Sequence, residues 1–277
     1  MSLEASSAEF LAGARHIQVA GVDTEILVKG QGAPLLFLHG MDGIENASAL
    51  IDLLARDFTV YAPSHPGFGA SALPAHFTHI DDLAYFYLDL LDQLGLDGPV
   101  VAGFSFGGWI AAEVLVKDPS RASRLVLGAP LGLPTADRRT QHVTDIFMLG
   151  AREVQARMQV APPPEPVDPA AIPEALLERS VRNAEAVALF GWSPYLHDPK
   201  LRHRLRRLAM PTLLLWGEED RIAPLDYGRG FAAALPGAEF RPLPRCGHRI
   251  HIDQPAAAAD AIRAFASASA AIEEPAK

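Results

Sequence analysis

The chain has 277 residues, 49% of them hydrophobic, enough for one large α/β domain or one domain carrying an insertion. Its net charge of -9 disfavours a nucleic-acid partner, which would need clustered Lys and Arg against phosphates. A single cysteine, Cys246, excludes an intrachain disulfide framework, and no window approaches the ~20 consecutive apolar residues of a membrane span. The N-terminal stretch lacks the basic head, apolar run and small-residue cleavage site of a secretory signal, so a soluble, cytoplasmic protein is expected.

His16–Val19 and Thr24–Lys29 flank Gly21-Val22-Asp23 and read as an opening hairpin. Leu35–Leu38 is a short, fully apolar run ending in His39-Gly40, as expected of a buried parallel strand. Thr59–Ala62, Val100–Phe104, Leu125–Leu127 and Thr212–Trp216 repeat the pattern, each bounded by Pro or Gly, and Glu239–Leu243 is the expected last strand. Helical patterns lie between them. Asp81–Leu94 places Leu83, Phe86, Tyr87, Leu90, Leu91 and Leu94 on one stripe, begins with two acids and stops at Gly95. Gly107–Val116 is a small-residue helix able to pack closely on a sheet, and Pro255–Ala270 is an alanine-rich final helix with Ile262 and Phe265 facing inward.

Strands alternating with helices predict an α/β fold, a parallel sheet covered on both faces. The rhythm breaks from Leu131 to Leu208, where no apolar strand appears. Helical patterns at Thr144–Met158 and Glu174–Leu189 flank the Pro-rich stretch 161–169 there. Residues 1–130 and 209–277 are therefore expected to form the core domain, with 131–208 a helical cap containing a stiff connector. The basic stretch from Lys200 to Arg207 reads as a solvated helix face.

Gly103-Phe104-Ser105-Phe106-Gly107 matches G-x-S-x-G. A five-residue match is weak by itself, but this one follows an apolar strand and opens a helix, the strand–elbow–helix setting such a serine needs. Glycines are required where a Cβ would collide with neighbouring backbone. A serine hydroxyl needs a base within hydrogen-bond reach. Among ten histidines, His248 stands out because Cys246-Gly247-His248 follows the last expected strand, giving the chain order serine, acid, histidine. His251 is expected in the following turn. The imidazole needs a carboxylate to hold its tautomer, and Gly217-Glu218-Glu219-Asp220 puts three at a strand's carboxyl end. Asp220 is preferred over Glu218, Glu219 and Asp226. Oxyanion donors are expected from the backbone N–H of Phe106 and of Met41, in the loop after Leu35–Leu38. His39 is expected to support that loop without doing chemistry.

Together, His39-Gly40, the Pro66-Gly67-Phe68-Gly69-Ala70-Ser71 loop, the serine elbow, Gly217-Glu218-Glu219-Asp220 and Gly247-His248 resemble the α/β-hydrolase superfamily, from about Thr24 to the final helix. The resemblance implies an eight-stranded, mostly parallel sheet with a cap inserted after the sixth strand, where 131–208 falls. Haloalkane dehalogenases and epoxide hydrolases of that superfamily carry an aspartate at the elbow, and Ser105 argues against both. The resemblance implies a cofactor-independent serine hydrolase of a small or medium ester or lactone, acting through an acyl-enzyme with Ser105, Asp220 and His248. Alternatives are a carbon–carbon bond hydrolase of ring-cleavage products, which Arg249 after His248 disfavours, a cofactor-free perhydrolase, and a hydrolase-fold small-molecule receptor with little turnover. No metal-ligand spacing or dinucleotide fingerprint appears, so neither metal nor cofactor is expected, and the protein is expected as monomer or homodimer. Asp42, Phe147, Trp192 and Tyr195 are candidate substrate contacts, with Met148, Phe190 and His65 behind them. Taken singly, each of the aromatic ones suits the cap's own core better than a substrate contact. Trp109 is expected beneath the site, and Cys246 as a small buried residue.

Overall fold

The computed structural model describes residues 9–134, 143–162, 168 and 171–268. The chain opens with the antiparallel pair β1 (Ala14–Val19) and β2 (Val22–Lys29). Ala20 and Gly21 close it at φ 47° and 85°, and two positive φ values in a two-residue turn match the right-handed twist of the flanking strands. Then β3 (Ala33–Leu38), β4 (Phe58–Pro63), β5 (Val100–Phe104), β6 (Arg124–Gly128), β7 (Thr212–Gly217) and β8 (Glu239–Leu243) complete an eight-stranded sheet. Its order is β1-β2-β4-β3-β5-β6-β7-β8. β2 and β4 are antiparallel, and every pair from β4 to β8 is parallel. Every residue of β5 and of β7 is buried, which is why these segments are apolar without alternation.

Among the described residues, the helices of seven residues or more are α1 (Ser48–Leu54), α2 (Ile80–Gln93), α3 (Phe106–Lys117), α4 (Ala151–Met158), α5 (Glu174–Gly191), α6 (Leu225–Ala232) and α7 (Pro255–Ser267). α2 packs on α3 and α1 on α7, so helices cover both faces of the sheet. The last two residues of the expected final helix lie outside the described residues. So do residues 163–167 and 169 of the Pro-rich stretch.

The expected Thr144–Met158 helix is shorter than its pattern. Asp145 accepts the Phe147 N–H and starts a 3-10 turn at Ile146–Met148, and the helix proper begins only after Gly150. Local capping by a short acid won over helical spacing there.

Between β6 and β7, α5 lies against the loop that follows β4. Arg179 donates to both carboxylate oxygens of Glu25 at 2.8 and 2.9 Å, and to Glu45 at 3.2 Å. Asn183 Oδ1 accepts the Gly69 N–H at 2.8 Å, and Arg182 reaches the Ser71 carbonyl. Burial alone would raise the Glu25 carboxyl. Arg179 and the Ser64 hydroxyl outweigh it and hold it below its ordinary value. Removing one member of such a buried set leaves uncompensated charge and costs about 3–5 kcal/mol. Arg179→Met is expected to lose stability of that order in urea unfolding at pH 7, and a loss below about 1 kcal/mol would show that solvent, not Arg179, satisfies Glu25 and Glu45.

Candidate active site

β3 and β5 are neighbours, yet the chain leaves β3 for β4 on one side and β5 for β6 on the other. A sheet opens a crevice at the carboxyl ends of strands where its order reverses in this way. Ser105 stands at the end of β5, and the Gly40-Met41-Asp42 strap at the end of β3.

Ser105 has φ 52° and ψ -116°, a strained conformation for a non-glycine residue. The neighbouring glycines make it possible. A Cβ on Gly103 would lie 2.4 Å from the Gly107 carbonyl oxygen, and one on Gly107 would lie 2.3 Å from those of Leu38 and His39. The serine Oγ is 2.7 Å from His248 Nε2, and His248 Nδ1 is 2.8 Å from Asp220 Oδ2. Both side chains of the His248–Asp220 pair are essentially inaccessible to solvent. The acid is fixed independently, because Asp220 Oδ1 accepts the N–H groups of Ile222 and Ala223, each at 2.8 Å. Since a carboxylate only accepts, His248 Nδ1 carries the proton, and Nε2 is free to accept from Ser105. Gly217 lets the histidine loop approach β7. A Cβ there would lie 2.1 Å from the Gly247 carbonyl oxygen, and the Glu219 N–H bonds the Cys246 carbonyl.

Of the other carboxylates weighed, Glu218 and Glu219 are exposed, and Asp226 pairs with Arg229 at the surface. The N–H groups of Phe106 and Met41 donate to no acceptor among the described residues, although Met41 is buried. Two donors without internal partners at the ends of adjacent strands are what a developing oxyanion requires.

His39 and His65 are fully buried and stacked, ring centroids 3.7 Å apart. His39 Nε2 accepts the His65 N–H, so its Nδ1–H donates to the Gly40 carbonyl. His65 Nε2–H donates to the His39 carbonyl, and its Nδ1 accepts from Tyr87. Both rings are thus neutral with their tautomers assigned, and burial pulls His39 down to about 4. They brace the Met41 strap, and His65 has no ring nitrogen left for a substrate.

The family model described as "Alpha/beta hydrolase family" matches residues 35–261. The chain belongs to the alpha/beta hydrolase family. The 2-hydroxymuconate semialdehyde hydrolase of Pseudomonas sp. (strain CF600) is 27% identical to this alpha/beta hydrolase, over 91% of the chain and 93% of that protein. The pimeloyl-[acyl-carrier protein] methyl ester esterase of Vibrio campbellii (strain ATCC BAA-1116) is 28% identical, over 76% of the chain and 85% of that protein. The crystal structure of a membrane phospholipase A, described as a novel bacterial virulence factor, shares the fold. Its TM-score is 0.78 at 24% identity, over 95% of this chain and 90% of that one.

Three candidate contacts of this alpha/beta hydrolase come together as an aromatic cluster between β6 and β7. Phe147 packs on Trp192 and Tyr195, with centroids 5.2 and 5.8 Å apart. Tyr195 spends its hydroxyl on the Thr144 carbonyl and the Ile146 N–H, while Trp192 and Met148 are largely exposed and Phe190 is buried. The fourth candidate, Asp42, pairs with Arg249 at 2.7 Å instead of standing open to a substrate. His251 lies buried in the single helical turn Ile250–Asp253, edge-on to Phe104, and burial pulls it down to about 4. Cys246 is buried and its thiol is pushed up to about 12, chiefly by burial, so it is not a nucleophile at neutral pH. The surface grooves of about 360 Å³ beside Asp92 and Arg121, and of about 230 Å³ between Ala20 and Phe86, include none of these residues. Among the described residues no helix is long and apolar enough to cross a membrane, and no cluster of His, Cys, Asp or Glu could hold a metal ion.

Sequence reasoning passed over Glu113. It is buried in α3 one turn beyond Trp109, whose indole N–H it accepts at 3.2 Å, while its second oxygen has no hydrogen bond. Burial, reinforced by Asp198, pushes the carboxyl up to about 7 against the pull of Lys117, Trp109 and Arg204. A carboxyl raised on folding binds its proton more tightly in the native state. Its stabilising contribution is therefore full below the ordinary value of 4.5 and is lost as pH rises through about 7. Urea unfolding is expected to show a fall on the order of 2–3 kcal/mol from this group between pH 5 and 8. Glu113→Gln is expected to flatten that slope, and an unchanged slope would assign it to other groups. Trp109 is buried edge-on beneath Phe106, so the same helix carries both the donor and its support.

Proposed function

We propose that the protein is a cofactor-independent serine hydrolase that cleaves a small or medium carboxylic ester or lactone through an acyl-enzyme. Ser105 Oγ attacks the acyl carbonyl, and His248 Nε2 takes the hydroxyl proton and passes it to the leaving alcohol. Asp220 holds the Nδ1–H tautomer and stabilises the imidazolium that forms. The N–H groups of Phe106 and Met41 stabilise the tetrahedral oxyanion, and a water activated by His248 then releases the acid. Residues 131–208 act as a cap that shapes the acyl or alcohol pocket, with 1–130 and 209–277 as the core.

The observation that carries this reading is the 2.7 Å approach of Ser105 Oγ to His248 Nε2, in a ring whose other nitrogen is held at 2.8 Å by Asp220. The unused donors of Phe106 and Met41 support it further. The test is a panel of p-nitrophenyl esters of increasing chain length, lactones and a vinylogous keto acid, run beside fluorophosphonate labelling located by mass spectrometry. Ester or lactone turnover with an adduct on Ser105 is expected. Absence of an adduct would sink the nucleophile assignment. Turnover confined to the keto acid would move the reaction to carbon–carbon cleavage, and binding without turnover would make the protein a receptor.

A further inference from the structure

The residue after each of two proposed triad members is an arginine, and both arginines reach the same segment. Arg221 follows Asp220 and donates to the carbonyls of Ala156 and Gln159. Arg249 follows His248, gives its backbone N–H to the Met158 carbonyl at 2.8 Å, and donates from Nη1 to Gln159 Oε1 at 3.2 Å. Its Nε lies 2.7 Å from Asp42 Oδ2, with side chains 14% and 21% exposed. The N–H is not aligned for a hydrogen bond, so the contact is an ion pair. Asp42 is the residue after Met41. One side chain thus touches the strap after β3, belongs to the loop after β8, and rests on the segment that ends α4.

Beyond the strap, Ile250–Asp253 packs on Glu45–Ala47 and on α1, and the ion pair adds a polar link between the two loops themselves. β3 and β8 are separated in the sheet by β5, β6 and β7, so no ladder hydrogen bond sets one loop against the other. The strap's other polar contacts lead elsewhere. The Gly43 N–H bonds Gly40, the Asn46 amide bonds the Asp42 carbonyl, and Glu45 pairs with Arg179 on α5. None of these refers the strap to the histidine. Burial alone would raise the Asp42 carboxyl, but Arg249, with His251 and His248 nearby, holds it below its ordinary value, so it is ionised at neutral pH.

We propose that Arg249 is a positioning residue that, through its ion pair with Asp42, sets the strap carrying the Met41 N–H in register with His248. The inference rests on the serine-hydrolase reading given above. It assigns Arg249 no contact with substrate. Its effect belongs to the transition state, where the oxyanion donor and the general base must both be in place, and displacement by a fraction of an ångström weakens the former without changing how the ground-state ester binds.

The test is steady-state hydrolysis of p-nitrophenyl butyrate by the full chain, its Arg249→Met, Asp42→Asn and double variants, and Arg249→Lys. Ser105 labelling by a fluorophosphonate and thermal unfolding are measured on each. The single variants are expected to lose about tenfold to a hundredfold in kcat, with KM within about twofold of native, as for a sub-ångström misplacement. The double variant is expected to lose no more than the worse single, because both changes cut the same tie. Arg249→Lys keeps the charge and is expected to recover part of the loss. Native kcat in both single variants, losses that multiply in the double, or an effect confined to KM would each overturn the proposal. Should Arg249→Met not fold, kcat of Asp42→Asn and of Arg249→Lys decides the matter in its place. A native chain whose Ser105 is not labelled overturns the hydrolase reading itself, whereas labelled Ser105 with unaffected variants overturns only the role of Arg249.

Discussion

Ser105→Ala is expected to lower kcat for a p-nitrophenyl ester by about a million-fold, the loss typical of removing the nucleophile from an acting triad. The chemistry allows no substitute. Cys246, two residues before His248, has a buried thiol pushed up to about 12, and the serine's strained elbow presents only that one hydroxyl to His248. A residual rate about 10³–10⁴ above water is expected, because the Phe106 and Met41 donors and the binding surfaces remain. The measurement is turnover with thermal unfolding as control, since alanine in the elbow keeps the same Cβ. Turnover within tenfold of native would remove Ser105 from the mechanism.

Asp220→Asn is expected to lower kcat about 10⁴-fold with the fold intact. The direction follows from the local hydrogen bonds. The position of Asp220 Oδ1 is occupied by the N–H groups of Ile222 and Ala223, which demand an oxygen there. An asparagine must therefore turn its NH2 toward His248 Nδ1, and a donor facing that nitrogen forces the proton to Nε2. The imidazole then donates toward Ser105 instead of accepting from it. None of the three other acids near that strand end is placed to help. Glu218 and Glu219 point to solvent, and Asp226 is at the surface with Arg229. Near-native turnover in this variant, measured over a pH range, would return the acid's role to one of those three.

The centre of the sheet was legible because it is buried on both faces. Each apolar run bounded by Pro or Gly lies inside an observed strand, and β5 and β8 have the expected bounds. The short helices were not. In α1, Leu50, Ile51 and Leu54 make one turn of pattern in seven residues, and α6 contains Gly228 and Gly230, which sequence rules count against a helix. Packing decides both. A Cβ at Gly228 would lie 2.5 Å from the Trp216 ring, so its absence is what lets α6 close on β7. Within the site, the chain order of serine, acid and histidine marked the residues that meet. The arginine contacts stayed hidden because an ion pair across 207 positions, from Asp42 to Arg249, leaves no spacing to read. What was visible was only that Arg221 and Arg249 each directly follow a site residue.

Arg221 and Arg249 both hold the backbone between Ala156 and Gln159, a stretch inside the region between β6 and β7. This sets a boundary for recombination. A chimera that exchanged residues 131–208 with those of a relative would import a foreign sequence under the acid and histidine loops together. A graft that keeps residues 156–160 native would leave those loops on their original footing, and only the remainder of the transplanted region would then report on substrate choice.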